Sequence, residues 1–334
     1  MSPKINIGID LLGSDSDPID LLSSTIVLCK TLDTSINFKL FGNKELEKEF
    51  NKFDFSINNH ASLEFILSEN EITMDEDPLL AVRRKKKSSL CIAMRSLKNK
   101  EIDALVSCGN TGAITASSII YLDCLKNISR PALLAIIPTK KNPCAILDVG
   151  ANISATSDQL VEHAILGISY KKTKGYKKPK VGILNIGTEE KKGTSKHKQA
   201  YQDLLKLSKE DTSFEFMGNI EGKEVFLGKV DILITDGFTG NIFLKTAEGL
   251  ASFILDKIYN NLTKEEFLDI SNVFNDLQKR LHYAQYPGAL LIGVNGIVIK
   301  CHGYSSSTAF ASAIKGAINF VKQNFLDSIK SNLK

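Results

Sequence analysis

Residues 231–241 read DILITDGFTGN: a strand-like apolar run, DILIT, ends at an acidic residue and enters a turn where Gly237 and Gly240 bracket Phe238-Thr239 before Asn241. Glycines in such a turn tolerate positive φ and can serve only to redirect the chain. The same pattern, a strand running into a glycine-rich turn that opens a helix, also presents unpaired N–H groups at the positive end of a helix dipole. α/β proteins hold phosphate or a developing oxyanion in this way.

The pattern recurs outward from there. INIGID (5–10), FKLFG (38–42), LEFIL (63–67), DALVS (103–107), CAILDV (144–149) and VGILNI (181–186) are short β-rich runs separated by connections of helical length. Continuous apolar strands alternating with helices belong to a largely parallel sheet covered on both faces, so the fold class is α/β, a three-layer α/β/α architecture. LLIGV (290–294) and IVIKC (297–301), split only by Asn295-Gly296, predict a late antiparallel hairpin. The stretch 251–285 carries apolar residues at helical spacing and predicts projecting helices.

At 334 residues the chain can bury one large core or two smaller ones, and it reads as a single α/β catalytic unit over 1–334. Lys171, Lys172, Lys174, Lys177, Lys178 and Lys180 form a basic connection before VGILNI, read as an exposed loop at a joint between two halves. With 43% hydrophobic and 24% charged residues, the composition is that of a globular protein. A net charge of +4 is too small for this length to argue for nucleic-acid binding. The six cysteines include no CxxC pair, so neither a disulfide framework nor a zinc site is readable. No apolar run reaches the roughly 18 to 20 residues of a membrane span, and MSPKINIGID has no signal-peptide core. A soluble cytoplasmic protein is expected.

Ligands in open α/β sheets bind beyond the carboxyl ends of strands, so those ends are compared as a group. DALVS runs into Cys108-Gly109-Asn110-Thr111-Gly112, CAILDV into Gly150-Ala151-Asn152, VGILNI into Gly187-Thr188-Glu189-Glu190-Lys191-Lys192-Gly193, and DILIT into DGFTGN. One such exit is ordinary capping. Four small, polar, flexible exits suit a cleft where phosphate approaches several backbones.

Taken together, SCGNTGA (107–113), RPAL (130–133), LDVGAN (147–152), LNIGTEEKKG (184–193), GNIEGKE (218–224), TDGFTGNIFLKTAEG (235–249) and HGYSSSTA (302–309) resemble the bacterial phosphate acyltransferase family, PlsX. The resemblance spans nearly the whole chain in the family's order. It implies transfer of a fatty acyl group from acyl carrier protein to inorganic phosphate. The acyl phosphate product would feed a downstream glycerol-3-phosphate acyltransferase in phospholipid synthesis. It further implies a fold shared with isocitrate and isopropylmalate dehydrogenases and with phosphotransacetylases. A homodimer, a dimerising and membrane-proximal role for 251–285, and transient contact with the inner face of the cell membrane follow from the same resemblance.

Thioester phosphorolysis needs a seat for an anionic nucleophile and a group that polarises the carbonyl; it needs neither metal nor cofactor, because a thiolate leaves readily. Asn241 carries an amide donor that can face the carbonyl oxygen, although an Asn in this position also suits a helix N-cap. Lys192 can hold phosphate or offset transition-state charge, and by resemblance its position belongs to the active site. Lys245, one helical turn past Asn241, is a second candidate cation. Gly109, Asn110, Thr111, Gly112, Asn152, Gly237, Thr239 and Gly240 are expected to line the substrate site. Asp236 would orient its turn, and His302 would bind or support. Arg83, Arg84, Lys85 and Lys86, in a run of five cations ending at Lys87, read either as a solvated helix start or as a dock for an acidic carrier.

Three departures stand out. Gly13-Ser14-Asp15-Ser16-Asp17-Pro18 replaces a GGDHAP-like turn, and Tyr304 and Pro287 stand where the family has smaller residues. Two other functions compete: a phosphotransacetylase-like enzyme using acyl-CoA, and a non-catalytic carrier-binding scaffold.

Overall fold

A computed structural model describes residues 4–32, 35–53, 61–263, 270–274, 288–303 and 306–333. The chain divides into two compact units, Met1–Pro131 with Pro287–Lys334, and Ala132–Tyr286. The divisions fall beside Pro131 and Pro287. The lysine-rich stretch 171–180 is not a joint, because it lies inside the second unit. Nor is it simply an exposed loop. Lys171 is buried, its Nζ donating to the Pro143 carbonyl at 2.6 Å and lying 4.6 Å from the Tyr176 ring centroid.

In the first unit the elements run β1 (Ile5–Asp10), α1 (Pro18–Lys30), β2 (Ile36–Gly42), α2 (Lys44–Phe50), β3 (Ala61–Leu67), α3 (Pro78–Arg84), α4 (Ser89–Lys98), β4 (Ala104–Ser107) and α5 (Thr111–Leu122). Polar caps set the helix starts: the side chains of Asp17, Asn43, Asp77, Ser88 and Asn110 each accept a first-turn N–H. The second unit contains β5 (Ala132–Ile137), β6 (Cys144–Leu147), α6 (Ser157–Thr173), β7 (Lys180–Leu184), α7 (Ser195–Glu210), β8 (Glu215–Ile220), α8 (Gly222–Val225), β9 (Ile232–Ile234) and α9 (Gly237–Asn260). The chain then completes the first unit with β10 (Ala289–Ile292), β11 (Ile297–Lys300), α10 (Ser307–Lys322) and α11 (Phe325–Asn332).

The strands of the first unit follow the order β3-β2-β1-β4-β11-β10, parallel except for the β10/β11 hairpin that the Asn295-Gly296 pair predicts. Those of the second follow β5-β6-β9-β7-β8, parallel except for β5/β6, an antiparallel pair that the sequence reading missed. The sheet is mixed and mostly parallel, with helices on both sides. Ile7, Ile9, Leu105 and Val106 in one unit, and Ile146, Leu147, Ile232 and Leu233 in the other, are fully buried. Their apolar runs thus satisfy the two-sided burial that continuous hydrophobic strands demand. The parts of 251–285 past α9 at 264–269 and 275–285 lie outside the described residues, as do Pro287 and Tyr304.

Candidate active site

Strand β9 delivers Thr235 and Asp236 to the start of α9. Asp236 is the helix N-cap, its Oδ1 accepting from Thr239 N–H at 2.8 Å. Asn241 is therefore not a cap; it lies in the second turn of the helix, exposed. Neither Gly237 nor Gly240 has positive φ. Both are needed for close approach instead. A Cβ on Gly240 would lie 1.9 Å from the Asp148 carbonyl oxygen, and one on Gly237 would lie 2.3 Å from that of Asn152. α9 thus begins in direct contact with the 148–152 turn.

That turn is organised by Asp148, a fully buried carboxylate. Its Oδ1 accepts the N–H groups of Leu133 (3.0 Å), Gly150 (3.0 Å) and Ala151 (2.8 Å), and its Oδ2 accepts the backbone and side-chain N–H of Asn152 (2.8 and 2.9 Å). Gly150, at φ +136°, lies beneath Asn241, whose Oδ1 would be 3.9 Å from a Cβ placed there. Hydrogen bonding also closes the head of α9. Gly237 N–H reaches Asn152 O at 2.9 Å, Phe238 N–H reaches Ile153 O at 3.2 Å, and Gly240 N–H reaches Asp236 O at 2.8 Å. The expected open main-chain donors of DGFTGN and of Gly150-Ala151-Asn152 are already satisfied inside the protein.

The other exit in this unit behaves differently. Asn185 at the end of β7 receives the 187–193 loop, donating from Nδ2 to Lys192 O at 3.1 Å, and Gly193, at φ +84°, turns the chain into α7. A Cβ on Gly187 would meet the Lys192 stem at 3.1 Å, so the glycine gives the lysine its path. Lys192 is half exposed, with its Nζ 4.0 Å from Glu189. At the head of α7 the Thr194 hydroxyl makes no capping bond and pairs with His197 Nδ1 at 2.8 Å. The N–H groups of Ser195, Lys196 and His197 find no acceptor among the described residues. A cavity of about 290 Å³ opens there, lined by Ala155, Leu160, Thr194, Ser195, Lys196, His197 and Asp236. Burial holds the His197 imidazole below its usual range, while Asp236 pushes it back up and Lys196 adds to the lowering.

Lys245 and Asn152 each have an acidic partner in the second unit. Lys245 Nζ lies 2.9 Å from Glu248, and Asn152 is tied to Asp148. In the first unit Asn110 caps α5, its Nδ2 fanning onto the carbonyls of Thr73, Met74 and Glu76 at 3.3, 3.0 and 3.4 Å. Gly109 N–H donates to Ser107 Oγ at 3.1 Å, while the N–H groups of Thr111 and Gly112 have no acceptor among the described residues. His302 is half-buried, and the next carbonyl, Gly303 O, accepts Asp15 N–H, Ser16 N–H and Ser16 Oγ, each at 3.1 Å. The altered GSDSDP turn therefore clamps the HG motif. The basic run is the end of α3, not a helix start, with Arg83 and Arg84 in its last turn. Lys85 and Lys87 are paired with Glu76 (2.7 Å) and Glu69 (2.6 Å), and Arg83, Arg84 and Lys86 are exposed.

The family model described as "Fatty acid synthesis protein" matches residues 5–328. A phosphate acyltransferase of Chlamydia pneumoniae is 37% identical over 334 residues, covering 99% of each chain. One from Clostridium novyi is 37% identical over 337 residues, again covering 99% of each. The chain belongs to the phosphate acyltransferase family. Solved structures with this fold include a phosphotransacetylase from Streptococcus pyogenes, with a TM-score of 0.64, 14% identity and coverage of 96% of this chain and 95% of that one. A 4-hydroxythreonine-4-phosphate dehydrogenase from Klebsiella pneumoniae has a TM-score of 0.53 at 11% identity, covering 95% of this chain and 98% of that one. Both show the α/β fold alone.

Several buried polar groups, only one of them inside a phosphate acyltransferase motif, carry no signal in the sequence. Asp148 stood inside LDVGAN, where a residue before a glycine turn gives no hint of five donors. His163, on α6, is wholly buried, and neither ring nitrogen has a hydrogen-bond partner among the described residues. Burial holds it neutral, with the Asp148 charge opposing. Asp10, at the end of β1, accepts Ser107 Oγ at 2.8 Å on Oδ2 and nothing among the described residues on Oδ1. Burial raises its pKa to about 6 against the hydroxyls of Ser89 and Ser107. Lys300, buried at the end of β11, donates from Nζ to the carbonyls of Cys108 and Cys301. No periodicity distinguishes it from its apolar strand.

Proposed function

We propose that this acyltransferase moves a fatty acyl group from the thioester of acyl carrier protein to inorganic phosphate, yielding an acyl phosphate for phospholipid synthesis. The supporting observation is the position of Asn241. With the main-chain donors around it already spent, its exposed amide is an open neutral donor at the head of α9, beside Gly150. In this reading it polarises the thioester carbonyl, a contribution of about 100- to 1,000-fold in rate for one such donor. Lys192, half exposed on its loop, offsets the charge that builds on oxygen. The balance is simple: a phosphate oxygen forms the new C–O bond, the C–S bond breaks, and the phosphate proton ends on sulfur. Exposed Arg83, Arg84 and Lys86 offer a dock for an acidic carrier. The apolar face of α9, with Leu250 57% and Phe253 59% exposed, suits a second copy or a membrane surface.

The phosphotransacetylase fold likeness favours one second reading, with coenzyme A as the thiol carrier. Free thiol release from long-chain acyl carrier protein and from acyl-CoA, each with and without phosphate, separates the readings. Phosphate-dependent release from the carrier protein alone is expected. Release only from acyl-CoA would transfer the function to the second reading, and intact thioester in every arm would leave a scaffold.

A further inference from the structure

The GNIEGKE motif at 218–224 has no part in the reaction as read above, and its asparagine is aimed by an irregularity in the sheet. Along the parallel pair β7/β8, Val181 stands opposite Phe216 and Ile183 opposite Asn219, so β8 holds one residue more than β7 over the same span. Gly218, at φ +78°, lies inside this bulge. Side chains alternate between faces along a strand, so an extra residue reverses the face of those that follow it. Opposite Ile183, Asn219 shares a face with Asn185, two residues further along the chain. Without the bulge it would stand opposite Leu184 and point to the other face.

The buried Asn219 side chain is spent on the loop that carries Lys192. Its Nδ2 donates to Glu189 O at 2.8 Å, and its Oδ1 accepts from Asn185 Nδ2 at 3.0 Å. Asn185 Nδ2 also donates to Lys192 O at 3.1 Å. Two linked amides therefore pin the carbonyls of Glu189 and Lys192, at either end of the turn that Lys192 N–H closes onto Glu189 O at 3.0 Å. A further side-chain tie, from Gln202 Nε2 to Glu190 Oε1, is exposed, where water competes for both partners. We infer that Asn219 is a positioning residue for the acyl transfer, its amide holding the 187–193 loop in the shape that keeps the Lys192 ammonium in place to meet the charge building on oxygen. Asn219 touches no reacting atom in this role; it acts through Lys192.

This role rests on the reading of Lys192 given above, and two independent measurements keep the tether and the reaction apart. Trypsin cleavage of the intact protein after Lys191 or Lys192, followed by fragment mass, reports the order of the loop without any substrate. Steady-state turnover with long-chain acyl carrier protein and phosphate, taken well below each variant's thermal midpoint, reports the reaction. A misplacement of about 1 Å costs on the order of 100-fold in rate, so Asn219→Ala should be cleaved faster in the loop and lose about 10- to 100-fold in kcat, with the acyl-donor KM unmoved. In a Lys192→Ala background the same change should cost kcat nothing further, because the residue that it positions is gone. Asn219→Asp replaces the Nδ2 donor with an acceptor facing Glu189 O at nearly unchanged volume, and should give both effects even where Asn219→Ala folds poorly. An unchanged cleavage rate, an unchanged kcat, or a loss that recurs in full on Lys192→Ala overturns the role. Wild-type turnover by Lys192→Ala alone also overturns it, since no lysine is then being placed. Faster cleavage of the variants, in a protein whose wild type transfers no acyl group to phosphate, would keep the tether and remove the reaction.

Discussion

Two helices leave the sheet of the second unit through turns of similar composition, and their first turns end in opposite states. The head of α9, announced by two glycines, is closed: each of its first four N–H groups has an acceptor in Asn152, Ile153 or Asp236. The head of α7, entered through Thr-Ser-Lys-His with no glycine in its first turn, leaves three N–H groups open beside a cavity. Glycine at a helix entrance therefore does not by itself mark an anion seat. In α9 it permits backbone to meet backbone, and a donor left open beside it is a side chain, that of Asn241.

The strongest way to break this contrast is Gly240→Ala. Its Cβ would lie 1.9 Å from the Asp148 carbonyl, so the head of α9 must shift. A loss of about 3 kcal/mol or more is expected in thermal or denaturant unfolding, in the range of overpacked sites. A wild-type midpoint would show that the two segments are not held in contact. Asn241→Ala should leave stability alone and lower kcat by about 100- to 1,000-fold, and a wild-type rate would withdraw the carbonyl-polarising role. Asp148→Asn turns one acceptor oxygen into a donor facing at least two N–H groups, for a stability cost of about 2 to 3 kcal/mol. If its loss instead equalled that of an exposed substitution, the turn would not depend on the carboxylate.

The smallest effect lies in pH. His163 is held neutral by burial, so its folded pKa lies below the ordinary value and the unfolded chain takes up a proton first. That asymmetry contributes destabilisation only as pH falls below about 6.5, approaching about 1.4 kcal/mol per pH unit for one proton. His163→Leu should flatten that limb of a stability profile while leaving the neutral plateau nearly fixed. An identical acid limb in the variant would place the titrating group elsewhere.

Much of the framework was readable because strand burial imposes a simple code. INIGID places Ile5, Ile7 and Ile9 on one face, ALVS and CAIL are apolar on both, and the Asn-Gly pair at 295–296 specified its hairpin. The β5/β6 pair escaped notice because ALLAII follows directly on Pro131 and was read only as part of the RPAL motif. At the candidate site the strand exits themselves were legible, since glycine and asparagine cluster there. Which donors stay open was not, because it depends on partners distant in sequence: Leu133 and Asn152 on Asp148, Asn152 on Gly237, Thr73 on Asn110. Glycine's two uses, positive φ at Gly193 and close approach at Gly240, look identical in one-letter code.

Strand β11 pairs with β4 although 190 positions (297 − 107) separate Ile297 from the end of β4 at Ser107. A ribosome releases β4 long before its neighbour exists, so one edge of the first sheet waits, unpaired and apolar, while the whole of the second unit is synthesised. Nascent chains halted before residue 297 should therefore engage chaperones, and those halted beyond it should release them.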